Sequence, residues 1–382
     1  MADRELTSLF SSFLQAGFEC STHKARTRKR LDIFSSTKHD QFTRQDYRLM
    51  LDLGIRTVRE GARWHVIETA PGVYDFSSLR ELYDAADELG MEIILDIFHF
   101  GWPDFLDIFE PEFIRSFERF TAEIADFLRS RRYPRTFVVP VNEISFLSWA
   151  GGDKAYINPF SRNRGHELKH QMARAYAASS RILLERLPGV RLVSPEPVIH
   201  IIGDPSIPGD EIEAAAYTSA MFEAWDMVSG RMLPELGGRP DYLDIIGINF
   251  YDRNEWVHND EPITRDDPRY RPLHQILLEV WRRYRRPMFI SETGAEDDAR
   301  ESWFDYIADE VEKAISLGVP IHGLCLYPIL NHPGWDDDRH CHNGLFDYAD
   351  ANGLREMYGP LAGAIRKRDF KFDSETRELQ NA

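Results

Sequence analysis

The sequence predicts an α/β chain folded as one (β/α)₈ TIM barrel. Three observations carry this reading. Eight short apolar runs recur along the 382 residues, amphipathic segments separate them, and no Pro/Gly/Ser linker, low-complexity tract or repeat splits the chain. Runs of that length rich in β-branched and aromatic residues suit strands covered on both faces, and alternation of strand with helix dictates a parallel sheet. Eight such units suffice to close a barrel.

Strands are expected at 17–22, 55–60, 91–99, 136–143, 190–196, 242–251, 288–292 and 321–327. Helical periodicity covers 78–89, 112–131, 168–186, 300–317 and, after the last strand, 354–368. The signals that end a helix precede several strands: Leu53-Gly54-Ile55, Leu89-Gly90-Met91, Pro188-Gly189-Val190 and Leu317-Gly318-Val319-Pro320. Residues 1–16 read as a lead-in and 370–382 as a flexible tail, leaving one catalytic domain over 1–382.

Composition narrows the class of function. With 43% hydrophobic and 29% charged residues the chain reads as a soluble protein with a large core. A net charge of −17 argues against nucleic acid as a partner, because neutralising phosphates needs a basic face. No run of about 18 apolar residues is available to span a membrane, and the start of the chain lacks a signal-peptide core. Cys20, Cys325 and Cys341 are odd in number and without Cys-x-x-Cys spacing, which fits reduced thiols in the cytoplasm. Oligomeric state is not readable.

Chemistry in such a barrel gathers where strands run out at their C-terminal ends. Those ends carry Arg59-Glu60, His99, Asn142-Glu143, Glu196, Asn249-Phe250-Tyr251, Glu292 and Tyr327. Each alone has a plain explanation: Arg59 with Glu60 as a local ion pair, His99 as a core histidine, Glu196 as a solvated loop acid. Together they crowd one face. "FVVPVNE" and "MFISETG" repeat one design, an apolar strand with a glutamate at its exit. Glu143 and Glu292, on the fourth and seventh strands, can therefore flank a substrate, and two facing carboxylates suit glycoside cleavage. Their separation, which decides between retention and inversion, is not readable from sequence.

"VNEISF" and "FISETG" resemble the Asn-Glu and nucleophile motifs of clan A retaining β-glycosidases, nearest to family 1 glycoside hydrolases (β-glucosidase-like). Three further stretches follow in the same order: "TVREGARWHVIETAPGVYDF", "LDIFHFGWPDFL" and "DIIGINFYDR", with "GLCLYPILNHPGWDDDRHCHNGLFDY" closing the set. The resemblance implies Glu143 as acid/base and Glu292 as nucleophile. By the same likeness Arg59 lies beneath the nucleophile, and Tyr251, in the Asn249-Phe250-Tyr251 exit, donates to it. His99 and Asn142 hydrogen-bond the sugar, while Tyr327 stands in place of the aromatic floor. Arg59 and Tyr251 are expected to lower the pKa of Glu292, and Glu143, without a cation, to keep a raised one. No cofactor or metal is implied, and the partner is a carbohydrate.

The chain also departs from the pattern. Ile144 replaces the proline after Asn-Glu, Thr293 the asparagine after the nucleophile, and Gly334 the sugar-binding glutamate before Trp335. The first strand lacks the family's glutamine, with Glu19, His23 or Lys24 open as its replacement. The run "HKARTRKRLD" puts five basic residues in the following loop, either solvated or reading an anionic glycan. "WDDDRHCHNG" gathers acids, His340, Cys341 and His342 without a structural zinc spacing, and reads as rim loop. Trp102, Phe146, Trp149, Trp256 and Trp335, the last a candidate for sugar binding, follow strand ends, where they either stack on sugars or pack the rim. A transglycosidase using the same two glutamates, or a binding barrel without catalysis, remain the alternative functions.

Overall fold

In the computed structural model, described for residues 9–335 and 339–368, eight parallel strands close into a barrel. They are β1 (Leu14–Gly17), β2 (Thr57–Gly61), β3 (Glu92–Asp96), β4 (Thr136–Val139), β5 (Val190–Pro197), β6 (Ile245–Asn249), β7 (Met288–Thr293) and β8 (Ile321–Leu326). Each pairs with its sequence neighbours, and β1 closes the ring by pairing Ala16 with Val58 on one side and Leu326 on the other. The expected fold is the observed one.

The helices longer than one turn are α1 (His39–Asp52), α2 (Ser77–Leu89), α3 (Pro111–Arg131), α4 (Gly165–Arg186), α5 (Asp210–Ser219), α6 (Glu223–Val228), α7 (Leu273–Tyr284), α8 (Ala299–Ser316) and α9 (Gly359–Lys367). α3 shows why such segments fold as they do. Pro111 fits the first turn, Arg129 and Arg131 complement the helix dipole at its end, and Phe113, Phe117, Phe120, Ile124 and Leu128 form one buried stripe. α2 stops at Gly90, whose φ of 68° is the left-handed cap that the Leu-Gly-Met signal predicts.

Inside the barrel, Ile94, Phe137, Val139, Val193, Ile245 and Phe289 fill the lower layers, with Leu9 and Phe10 packed among them. The Phe10 ring lies 4.7 Å from Phe137 and 5.0 Å from Phe289. With that end filled, a substrate has access from the opposite end.

Some expected boundaries are corrected. The first strand lies at 14–17 rather than 17–22, so the lead-in is shorter; residues 18–22 lie beyond the ladder, and of them Glu19 lines the cavity. The helix expected at 354–368 begins at Gly359, because Met357 still bridges to Phe346 and Pro360 can stand only in a first turn. The expected tail at 370–382 lies outside the described residues. No helix among the described residues is long and apolar enough to cross a membrane.

Candidate active site

At the C-terminal ends of the strands lies a cavity of about 1110 Å³. Of the candidate catalytic and sugar-binding residues, Glu19, His99, Glu143, Tyr251, Glu292, Tyr327 and Trp335 line it. Arg59, Asn142 and Asn249 are fully buried behind this wall and act on the residues that line it. His23 does not reach the cavity surface. Its ring is packed 4.3 Å from that of Trp335, and burial pushes its pKa down to about 4.

The two glutamates leave β4 and β7 in different surroundings. One Glu292 oxygen accepts from Arg59 Nη1 at 2.7 Å and the other from the Tyr251 hydroxyl at 3.0 Å. Arg59 also donates to both Asp96 oxygens, at 3.0 and 2.7 Å, and to Asn142 Oδ1 at 2.7 Å, so its guanidinium is fixed on three sides. Among the described residues, the Glu143 carboxyl receives only the Asn249 amide, at 2.8 Å. Asn249 is oriented in turn by the Ser291 hydroxyl at its Oδ1, 2.6 Å away.

Electrostatics follow from these partners. Burial, then the charge on Glu292, pushes the Glu143 carboxyl well above the usual range, and the Asn249 hydrogen bond offsets only part of this. Glu292 is also raised by burial, which outweighs the pull of Arg59 and His99. The expected lowering of its pKa is therefore corrected: Arg59 limits a rise. Glu292 remains the more acidic of the two, because a cation and a hydroxyl donate to it where a single neutral amide donates to Glu143.

The turn carrying Glu143 is strained. Glu143 has φ of 44°, left-handed for a residue with a side chain, a conformation that persists only where surroundings impose it. Glu196 imposes it: its oxygens accept the amides of Ile144 at 2.7 Å and Ser145 at 3.1 Å. The sequence left Glu196 open as a loop acid; it is buried, with its pKa pushed up by burial to about 7. Asp96 was missed altogether. It links Arg59 to His99, whose Nδ1 lies 2.9 Å away, and its only sequence signal is an acid inside the apolar run "IILDIF". His99 Nδ1 also lies 3.2 Å from the Cys20 sulfur, and its Nε2 faces Asn142 Nδ2 at 3.1 Å. Both polar atoms of the Asn142 side chain are thus engaged with protein.

Other sequence expectations fall differently. Glu60 does not pair with Arg59; it accepts from Tyr47 at 2.8 Å and contacts His39 at 3.0 Å on the outer side of β2. The basic loop is absent from the main cavity. Lys24 contacts Asp104 at 2.9 Å, Arg30 pairs with the same carboxylate, and both line a separate pocket of about 470 Å³ with Arg28 and Trp102. Lys24 therefore does not stand in for the family's glutamine. Phe146, Trp149 and Trp256 line the main cavity with Trp335. Asp336, Asp337 and Asp338 lie outside the described residues. His340 contacts Asp347 at 2.9 Å, and with His342 these form one of three His/Cys/Asp/Glu groups among the described residues whose ligand atoms cluster within 4.8 Å.

Residues 34–119 match the family model described as beta-galactosidase. That segment carries Arg59, Asp96 and His99 but neither glutamate. Several solved structures share the whole architecture. The family 1 b-glucosidase from Thermotoga maritima superposes with a TM-score of 0.74 at 15% identity, covering 94% of this chain and 97% of that one. The beta-glucosidase from the same organism in complex with glucoimidazole gives 0.76 at 15% identity, over 95% and 99% of the two chains. Its complex with castanospermine gives 0.75 at 16%, over 96% and 99%. The likeness is to glycoside hydrolases, and at this identity it establishes the barrel. No curated protein matches the chain.

Proposed function

We propose that the protein is a retaining β-glycosidase, with Glu292 as nucleophile and Glu143 as acid/base. The observation that carries this reading is the asymmetry of the two carboxyls. Glu292 is held by Arg59 and Tyr251 in the form that attacks, while Glu143 is held by Asn249 alone and favours the form that donates a proton.

Glu143 gives its proton to the glycosidic oxygen as Glu292 attacks the anomeric carbon. The bond from that carbon to the leaving oxygen breaks, and a carboxylate ester to the sugar forms. The leaving alcohol departs neutral. Glu143, now ionised, takes a proton from water, whose oxygen displaces Glu292 and regenerates both groups. His99, with Asp96 at its Nδ1, and Glu19 hold sugar hydroxyls; Tyr327 and Trp335 give the ring apolar surface. Asn142, buried behind the wall, fixes Arg59 and His99. His23 supports Trp335 from behind.

The reading is tested by hydrolysing aryl β-glucoside, β-galactoside, β-mannoside, β-fucoside and β-xyloside while following the anomeric protons by NMR. The expected first product is the β-sugar. An α-sugar appearing first, or cleavage that survives in Glu292→Gln at the wild-type rate, overturns it.

A further inference from the structure

The turn that follows β4 hangs from β5 by three consecutive amides. The Glu143 N–H donates to the Pro195 carbonyl oxygen at 3.2 Å, the Ile144 N–H to Glu196 Oε1 at 2.7 Å and the Ser145 N–H to Oε2 at 3.1 Å. Glu196 thus caps the single helical turn Ile144–Leu147, whose own N-cap side chain, Glu143, is turned to the cavity. Both carboxylate bonds are charge-assisted while Glu196 is ionised. Protonation turns one of its two acceptor oxygens into a hydroxyl and weakens the hold on the turn.

Few charges oppose that protonation. Burial raises the Glu196 pKa to about 7, and Ser145, Lys169 and Ile144 offset only part of the rise. Lys169, from α4, is itself bound to Glu223 at 2.6 Å. Tyr176, also from α4, is kept neutral by burial and donates to the Tyr242 carbonyl oxygen at 3.1 Å. The charge on Glu196 adds to burial and to Glu292 in holding the proton on Glu143. Glu292, by contrast, is fixed by Arg59 of β2 and by Tyr251 beyond β6, so its position does not depend on this turn.

We propose that Glu196, as a carboxylate, is the positioning residue of the acid/base: it holds the turn that aims Glu143, and its protonation disables proton donation while leaving nucleophilic attack intact. This rests on the glycosidase reading and adds to it a residue and a control by pH. Glu196 touches neither sugar nor nucleophile; it acts through the backbone of residues 144 and 145. A displacement of about 1 Å in a reacting group costs on the order of 100-fold in rate, so a loosened turn is enough.

The test follows kcat/KM against pH for the phenyl and dinitrophenyl β-glycosides of the sugar that wild type cleaves, in wild type and Glu196→Gln, with melting temperatures to check folding. Dinitrophenolate leaves without a proton, so its glycoside reads attack by Glu292, whereas phenol needs the proton of Glu143. In wild type the acid fall for the phenyl glycoside should therefore lie at higher pH than that for the dinitrophenyl glycoside. Glu196→Gln should lose roughly 10- to 100-fold on the phenyl glycoside and less than about threefold on the other. Its alkaline fall should move to lower pH, because a charge that raises Glu143 is gone. Coincident acid falls in wild type, or equal losses on the two glycosides in the folded variant, overturn the proposal. Hydrogen exchange of the segment 142–148, read by mass spectrometry, separates it from the reading beneath it. If no glycoside is cleaved yet the segment loses protection in Glu196→Gln, the glycosidase reading falls and the hold on the turn stands. Unchanged protection overturns that hold.

Discussion

Glu143 and Glu292 are the same functional group in the same buried cavity, and only their neighbours separate them. The charge on Glu292 ranks second, after burial, among the causes that raise Glu143. Neutralising it in Glu292→Gln should lower the Glu143 pKa, observable as an earlier carboxyl titration by ¹³C NMR in the variant; an unchanged titration means the two do not interact. In wild type the same logic places the alkaline fall of kcat/KM at loss of the Glu143 proton. Side-chain alternation explains one misreading at this scale. Arg59 and Glu60 are adjacent in a strand, so they face opposite sides of it. Arg59 points inward to Glu292, and Glu60 points outward to His39. An ion pair between neighbours in a strand was the wrong inference from adjacency. Asp96 escaped notice for a related reason: one acid inside an apolar run carries no signal until Arg59 and His99 are known to converge on it.

Elements position these residues through contacts that span long stretches of sequence. β1 passes close beneath Tyr327 because residue 17 is glycine; a Cβ there would lie 1.9 Å from Tyr327 Cδ2. Gly17→Ala should displace that ring, costing about 1–3 kcal/mol by overpacking and more than tenfold in kcat/KM. Thermal unfolding and kinetics check this, and a variant with native rates would remove Tyr327 from the site. α1 is tied to β2 through His39, whose Nδ1 lies 2.7 Å from Asp46 and whose Nε2 lies 3.0 Å from Glu60. Burial opposes its charge, but Glu60 and Asp46 prevail and raise its pKa from 6.5 to about 9. The folded state therefore binds a proton that the unfolded chain releases near 6.5. The stabilisation is full below that pH and is lost as pH rises to about 9, about 3 kcal/mol in all. Urea unfolding between pH 6 and 9.5 should show wild type losing that much more than His39→Gln. Parallel slopes would contradict the assignment. The boundary of α9 was legible only in part, since periodicity runs through 354–358 while Pro360 decides where the helix starts.

At the scale of the whole molecule, strand order was the most legible property, because eight apolar runs alternating with helices leave few ways to close a sheet. That order brings the exits of β4 and β7 to one cavity, which is why the two glutamates could be paired from sequence. The basic loop was less legible. Its charge pattern suggested a subsite, but Asp104, far along the chain, neutralises Lys24 and Arg30 in a separate pocket. The fate of an ion pair depends on a partner that local composition does not contain. The central claim is that Glu292 forms a covalent bond to the sugar. The measurement that tests it most directly is turnover of an activated aryl β-glycoside by Glu292→Ala with and without azide. The account predicts loss of activity by roughly 10⁴-fold or more in the folded variant, and its return with azide as an α-glycosyl azide, the inverted product. Activity that persists without azide, or a β-glycosyl azide, would contradict it.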